Sequence, residues 1–225
     1  MMMMMRRSLI TAAAVLASAM ASTTARAQIV IQSSTHEIRE DWKLVVAQGD
    51  PANDGPQIMT YMSMVNDSST VYAWFLINVR DAPNPYTPGG LMVQVWDYSD
   101  KLVASSTSTT ATAKLNTGNE VITWTQRLKF NSAAAQLTYE ILNGTSNTWG
   151  NFSSSAGLAS IIYSMPIPSQ GMALYQPSVS VKNSRVAWQP NNVTSMTLLT
   201  VRQYNSKGAL LQTDNVNLAV NLTPQ

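Results

Sequence analysis

The sequence has no cysteine, a single histidine and few charges, with only 12% of its 225 residues Asp, Glu, Lys or Arg. Without cysteine there can be no disulfide, thiolate zinc site, thiol nucleophile, CxxC redox pair or cysteine-linked lipid, so stability must come from packing. One histidine, His36, cannot build a His-rich zinc or copper site. No Gly-x-Ser-x-Gly turn accompanies it, so a serine triad has no frame, and a lyase-type constellation would have only this His to draw on. A stripe of helical period at helix length is also missing. After the first 27 residues there is no apolar run of the roughly 18 residues that a membrane helix needs. What remains is 45% hydrophobic, enough for a core and too weakly charged for a disordered chain.

Residues 1–27 read as an export signal. Met1 to Arg7 is a basic start, Leu9 to Ser22 is apolar and rich in Ala, and Ala25-Arg26-Ala27 is a small-x-small site to be cut before Gln28. Arg6-Arg7-Ser8-Leu9-Ile10 also fits the twin-arginine export pattern. Localisation is therefore expected to be secreted or periplasmic. Three of the 14 cations (Arg6, Arg7, Arg26) belong to this leader, leaving 11 against 12 carboxylates. The net charge of +2 is thus a property of the leader. With no basic block in the rest, nucleic acid is not an expected partner.

Period-two alternation runs through residues 28–225. Val71, Ala73, Phe75, Ile77 and Val79 alternate with Tyr72, Trp74 and Leu76, the pattern of a central strand covered on both faces. Leu91, Val93 and Val95 alternate with Met92, Gln94 and Trp96. Ile122, Trp124, Leu128 and Phe130 oppose Thr123, Thr125, Arg127 and Lys129, while Leu137, Tyr139 and Ile141 oppose Gln136, Thr138 and Glu140. Both read as half-buried strands with one wet face. Val216, Leu218, Val220 and Leu222 form a closing strand, and the Ser/Thr/Ala-rich Lys101–Leu115 reads as a solvent-facing one. Turn signals such as Asp97-Tyr98-Ser99-Asp100, Asn143-Gly144 and Asn205-Ser206-Lys207-Gly208 separate the runs. The expectation is one all-β, antiparallel domain over 28–225 with about a dozen strands, a sandwich or barrel. No fixed-period repeat points to a propeller.

Glu40-Asp41-Trp42-Lys43-Leu44-Val45-Val46, Asp54-Gly55-Pro56-Gln57, Pro88-Gly89-Gly90-Leu91-Met92-Val93-Gln94-Val95-Trp96 and Asn192-Val193-Thr194-Ser195-Met196-Thr197-Leu198, leading into Val201-Arg202-Gln203-Tyr204, span most of this region. They resemble secreted bacterial proteins of the concanavalin-like lectin/glucanase sandwiches. The resemblance implies two stacked antiparallel sheets, jelly-roll in kind, and sugar binding. It carries over no catalytic residue.

Glycoside hydrolysis needs two carboxylates across the scissile bond. The candidates Glu37, Glu40, Asp41, Glu120 and Glu140 do not form an alternating acidic string: Glu37 and Asp41 share one strand face, and Glu40 takes the other. Catalysis is accordingly not the expectation, and no catalytic residue is assigned. No cofactor is expected either. Calcium is the one metal with weak candidates, Asp50, Asn53 and Asp54, with Asp97 and Asp100 as a second pair; turn geometry is the commoner reason for such residues in such loops. Sugar recognition asks for flat rings beside amides. Trp42, Trp74, Trp96 and Trp124 lie within aliphatic strands and are expected in the core. Tyr86, Trp149 with Phe152, and Trp188 lie among Asn, Gly, Gln and Pro, either as lids over the sheet ends or as a binding platform. These four are the candidate ligand-binding residues. The expected function is an exported, non-catalytic module binding polysaccharide, cell-surface glycan or another extracellular polymer. Its rivals are a structural or adhesive envelope protein and, third, a glycan-active hydrolase or lyase.

Overall fold

A computed structural model describes residues 29–47, 57–64, 71–78, 90–97, 99–108, 119–164, 172, 174–175, 187–189, 192–220 and 222. The export signal and the calcium candidates Asp50, Asn53 and Asp54 lie outside them. Among the described residues there is no helix. Two antiparallel sheets face each other across one core, as the alternation and turn spacing predict.

The larger sheet has seven strands: β1 (Glu37–Val46), β6 (Glu120–Asn131), β7 (Gln136–Ser146), β8 (Gly150–Phe152), β9 (Ile161–Ser164), β11 (Val193–Tyr204) and β12 (Leu210–Ala219). Their order is β12-β11-β1-β6-β7-β8, with β9 also pairing β7. The smaller sheet is β10-β2-β3-β4-β5, from β2 (Gln57–Ser63), β3 (Tyr72–Ile77), β4 (Leu91–Trp96), β5 (Leu102–Thr107) and β10 (Ala187–Gln189).

Alternation decides which side chains meet between the sheets. Ile38, Trp42, Leu44 and Val46 of β1, Ile122, Trp124, Leu128 and Phe130 of β6, and Leu137, Tyr139 and Ile141 of β7 point inward. They meet Ile58 and Met62 of β2, Phe75 and Ile77 of β3, and Val93 and Val95 of β4. Trp42 and Trp124, direct cross-strand partners, stack with centroids 5.9 Å apart, and Phe75 packs against Trp124 at 5.5 Å. Such pairs add about 0.5–1.5 kcal/mol beyond the area they bury.

Trp74 and Trp96 do not join this core. They occupy the opposite face of the smaller sheet, half-buried beside the buried Tyr61 and Tyr72, with centroids 5.1 Å apart. Both faces of β3 are therefore apolar, which is why its sequence shows no wet side.

Turn chemistry matches its local sequence. Asn205 Oδ1 accepts the Lys207 and Ala209 amides, and Gly208 sits at φ +79°, where glycine has no steric penalty. Ser132 to Ala135 is a turn, with Asn131 Oδ1 accepting the Ala133 and Ala134 amides. The last strand starts at Leu210, earlier than the Val216 to Leu222 pattern suggests, because its first residues pair with β11 while remaining exposed.

Candidate functional site

The side chains that β1 turns outward are Glu37, Arg39, Asp41 and Lys43; β6 turns out Thr123, Thr125, Arg127 and Lys129. In-register pairing aligns these with outward residues of the flanking strands. Arg39 lies opposite Arg202 of β11 on one side and Arg127 of β6 on the other, and Arg127 lies opposite Glu140 of β7. Asp41 lies opposite Thr200 and Thr125, and Thr125 opposite Asn143. Lys43 lies opposite Thr123, which continues to Thr145 and then to Asn151. Two bulges keep these rows on one face. Leu199 is the extra residue against β1, and Leu142 the extra residue against β6.

Charge pairing holds the rows. Glu37 binds Arg39 at 2.5 Å and stands 3.8 Å from Arg127, which also pairs with Glu140. Asp41 accepts from Thr125 Oγ1 at 2.7 Å and pairs with Arg202 and Thr200. The Arg39 guanidinium lies 4.1 Å from the centre of the Tyr204 ring, within cation–π range. Burial lowers the Arg127 pKa, Glu37 raises it and Arg39 lowers it, so the residue is held among opposing neighbours.

At the β7–β8 end the same face opens into a groove of about 460 Å³ lined by Thr123, Leu142, Asn143, Gly144, Thr145, Asn151, Phe152 and Ser153. Asn143, Thr145 and Asn151 are exposed there. Phe152 contributes to the wall from below, because its ring is buried over Gly144 and packs on Phe75 at 6.0 Å. Trp149, half-buried, packs against the core, and its backbone N–H donates to Ser146 Oγ at 3.0 Å. The tight turn that joins β7 to β8 is capped by buried Glu120, which accepts from Ser146 Oγ (2.5 Å), the Thr148 amide (2.8 Å) and Thr148 Oγ1 (2.6 Å).

The four aromatic candidates thus separate. Trp149 and Phe152 share one hairpin, with Phe152 in the core; Tyr86 lies outside the described residues; Trp188 lies in β10, and its side chain is likewise outside them. Asp97 Oδ1 accepts the Ser99 and Lys101 amides and Asp100 accepts the Tyr72 hydroxyl, so turn geometry and packing account for both. Among the described residues no three His, Cys, Asp or Glu side chains come together as a metal site.

A second polar constellation lies inside. Glu40, fully buried between Ile38 and Trp42, accepts from Trp42 Nε1 (2.9 Å), Gln126 Nε2 (2.6 Å) and the Tyr175 hydroxyl. Gln126 Oε1 accepts from Thr60 Oγ1 of the facing sheet at 2.7 Å and from the Tyr139 hydroxyl at 3.2 Å. Burial pushes the Glu40 carboxyl from 4.5 to about 7, although the three donors pull it down. Tyr139 and Tyr175 are pushed well above 10 by burial and by the Glu40 charge. This network ties the two sheets together, and all of its members are buried.

Sequence reasoning paired Glu37 with Asp41 and set Glu40 apart, but it did not find the arginine row. The available signal was the wet face of β6, Thr123-x-Thr125-x-Arg127-x-Lys129, matched by Glu37-x-Arg39-x-Asp41-x-Lys43. Compared with known proteins, the chain matches no family model and no curated relative. Among the described residues no helix is long and apolar enough to cross a membrane.

Proposed function

We propose that the protein is an exported, non-catalytic β-sandwich module that binds a carbohydrate or another extracellular polymer, laid along the outer face of the seven-stranded sheet. The observation that carries this reading is the continuity of that face. Rows of Thr, Asn, Arg and Asp cross five strands and run into the open groove at Asn143 and Asn151. A polymer chain needs an extended track of hydroxyl- and amide-binding groups rather than one deep pocket, and a sheet face fixes such groups with little entropy left to lose. The concanavalin-like resemblance of the sequence agrees with a sheet face as the binding surface.

Catalysis by the five candidate acids is disfavoured because each of them is otherwise engaged. Glu40 and Glu120 are buried in structural hydrogen bonds, while Glu37, Asp41 and Glu140 are paired to arginine. The test is retardation of the purified protein in native gels containing soluble polysaccharides, set beside Asn143→Ala/Asn151→Ala. Retardation in at least one gel, reduced in the double variant at unchanged melting temperature, is expected. No retardation in any gel would overturn the reading.

A structural or adhesive role has one observation in its favour. Strand β12 is a ten-residue edge of the larger sheet with Leu210 55% exposed, and long open edges favour strand addition. Concentration-dependent association on sizing, abolished by Leu210→Lys, would support that reading instead.

A further inference from the structure

The outer face carries a net positive charge, whereas residues 28–225 as a whole hold 11 cations against 12 carboxylates. Five of the 11 cations outside residues 1–27 (Arg39, Lys43, Arg127, Lys129 and Arg202) point from this face, against three carboxylates, Glu37, Asp41 and Glu140. Like charges set opposite one another across strands destabilise a sheet, yet three arginines stand in consecutive positions of one row, Arg202-Arg39-Arg127. Strand spacing of about 4.8 Å places the three within about 10 Å.

Pairing within the row is also incomplete. The Nε–H groups of Arg127 and Arg202 have no hydrogen-bond partner, and neither does Glu140 Oε1, although Asp41, Glu37 and Glu140 stand beside these guanidiniums. All three atoms are shielded, so none of them is a contact point. Contact would fall to the Nη groups of side chains that are 22–29% exposed. A guanidinium fork matches the paired oxygens of a carboxylate or sulfate, and pinning by Glu37, Asp41 and the Tyr204 ring removes the rotamer cost of meeting one.

We infer that the ligand is an acidic polysaccharide, with carboxylate or sulfate groups docking along Arg202, Arg39 and Arg127 and sugar hydroxyls meeting Asn143, Thr145 and Asn151 in the adjoining groove. This rests on the polymer-binding reading of the same face. It adds the sign of the polymer's charge, which that reading leaves open.

Affinity electrophoresis in gels containing dextran sulfate, polygalacturonate or neutral dextran tests it, with a DNA oligonucleotide titrated in parallel. Retardation by at least one acidic polymer and not by neutral dextran is expected, weakening steeply with added salt. Arg202→Gln should weaken binding about tenfold, the scale of one charged hydrogen bond. Because that change also removes the charged partner of Asp41, Lys43→Gln/Lys129→Gln serves as the second variant. Neither lysine holds a carboxylate of the row, and a several-fold loss at unchanged melting temperature is expected. Retardation by neutral dextran alone would overturn the inference and leave the polymer-binding reading standing; no retardation in any gel would overturn both. DNA binding as tight as that of the acidic glycans would also overturn it, since the row would then be a general polyanion surface.

Discussion

Replacing Glu40 with Gln should remove most of the pH dependence of stability between pH 4.5 and 8. In the unfolded chain this carboxyl ionises near 4.5, whereas in the fold it holds its proton to about 7. Below 4.5 both states are protonated and the group costs nothing. Between 4.5 and 7 the unfolded state ionises first, so stability falls as pH rises; above 7 the loss is complete and constant. A tenfold shift in an ionisation constant is about 1.4 kcal/mol, so the displacement amounts to about 3 kcal/mol. Glu40 is fully buried, so solvent screening does not discount it. Gln fits the same site: its carbonyl oxygen accepts from Trp42 and Gln126, and its amide donates to the Tyr175 oxygen. Urea unfolding at pH 4.5, 6 and 8 reads the effect directly. The native protein should lose about 3 kcal/mol relative to Glu40→Gln across that range. Contributions common to both proteins cancel in the difference. Parallel pH profiles for the two would refute the assignment of the buried charge to Glu40.

Three further outcomes follow from packing. Tyr175→Phe removes a donor that favours ionised Glu40, so the midpoint of the pH-dependent loss should move upward from about 7, read in the same urea series. Gly144→Ala would put its Cβ 2.1 Å from Cε2 of Phe152, an overpacking cost of about 1–3 kcal/mol or more by thermal melt; in a Phe152→Ala background the same change should cost almost nothing. Phe152→Ala alone should cost about 3–5 kcal/mol as a buried aromatic truncation, and half-buried Trp149→Ala should cost less.

The inward faces of β3, β4 and β7 are readable because apolar residues there fall on alternate positions without interruption, and that of β6 is readable with one exception. Gln126 breaks that rule between Trp124 and Leu128. Parity alone places it inside, but its partners Glu40 and Thr60 come from other strands and, for Thr60, from the other sheet. The arginine row is hidden for the same reason. Arg39, Arg127 and Arg202 are far apart in sequence and become neighbours only through register, which the bulge at Leu199 helps to set. Trp74 and Trp96 were assigned to the core from their aliphatic flanks. Alternation puts them opposite Phe75 and Val95, on a second apolar face that sequence pattern cannot tell from the first. Trp149 and Phe152 are readable as a pair; the β8 pairing turns Phe152 inward, and Trp149, half-buried, packs against the same core.

The outer face of the larger sheet as the polymer track is the central claim, and the arginine side chains report on it directly. In nuclear magnetic resonance titrations with polygalacturonate oligomers, the Nε–Hε signals of Arg39, Arg127 and Arg202 and the side-chain amides of Asn143 and Asn151 should shift together and saturate. The Trp74 and Trp96 indole signals on the other sheet should stay in place. Saturable shifts at Trp74 and Trp96 with the arginine signals unmoved would contradict the account.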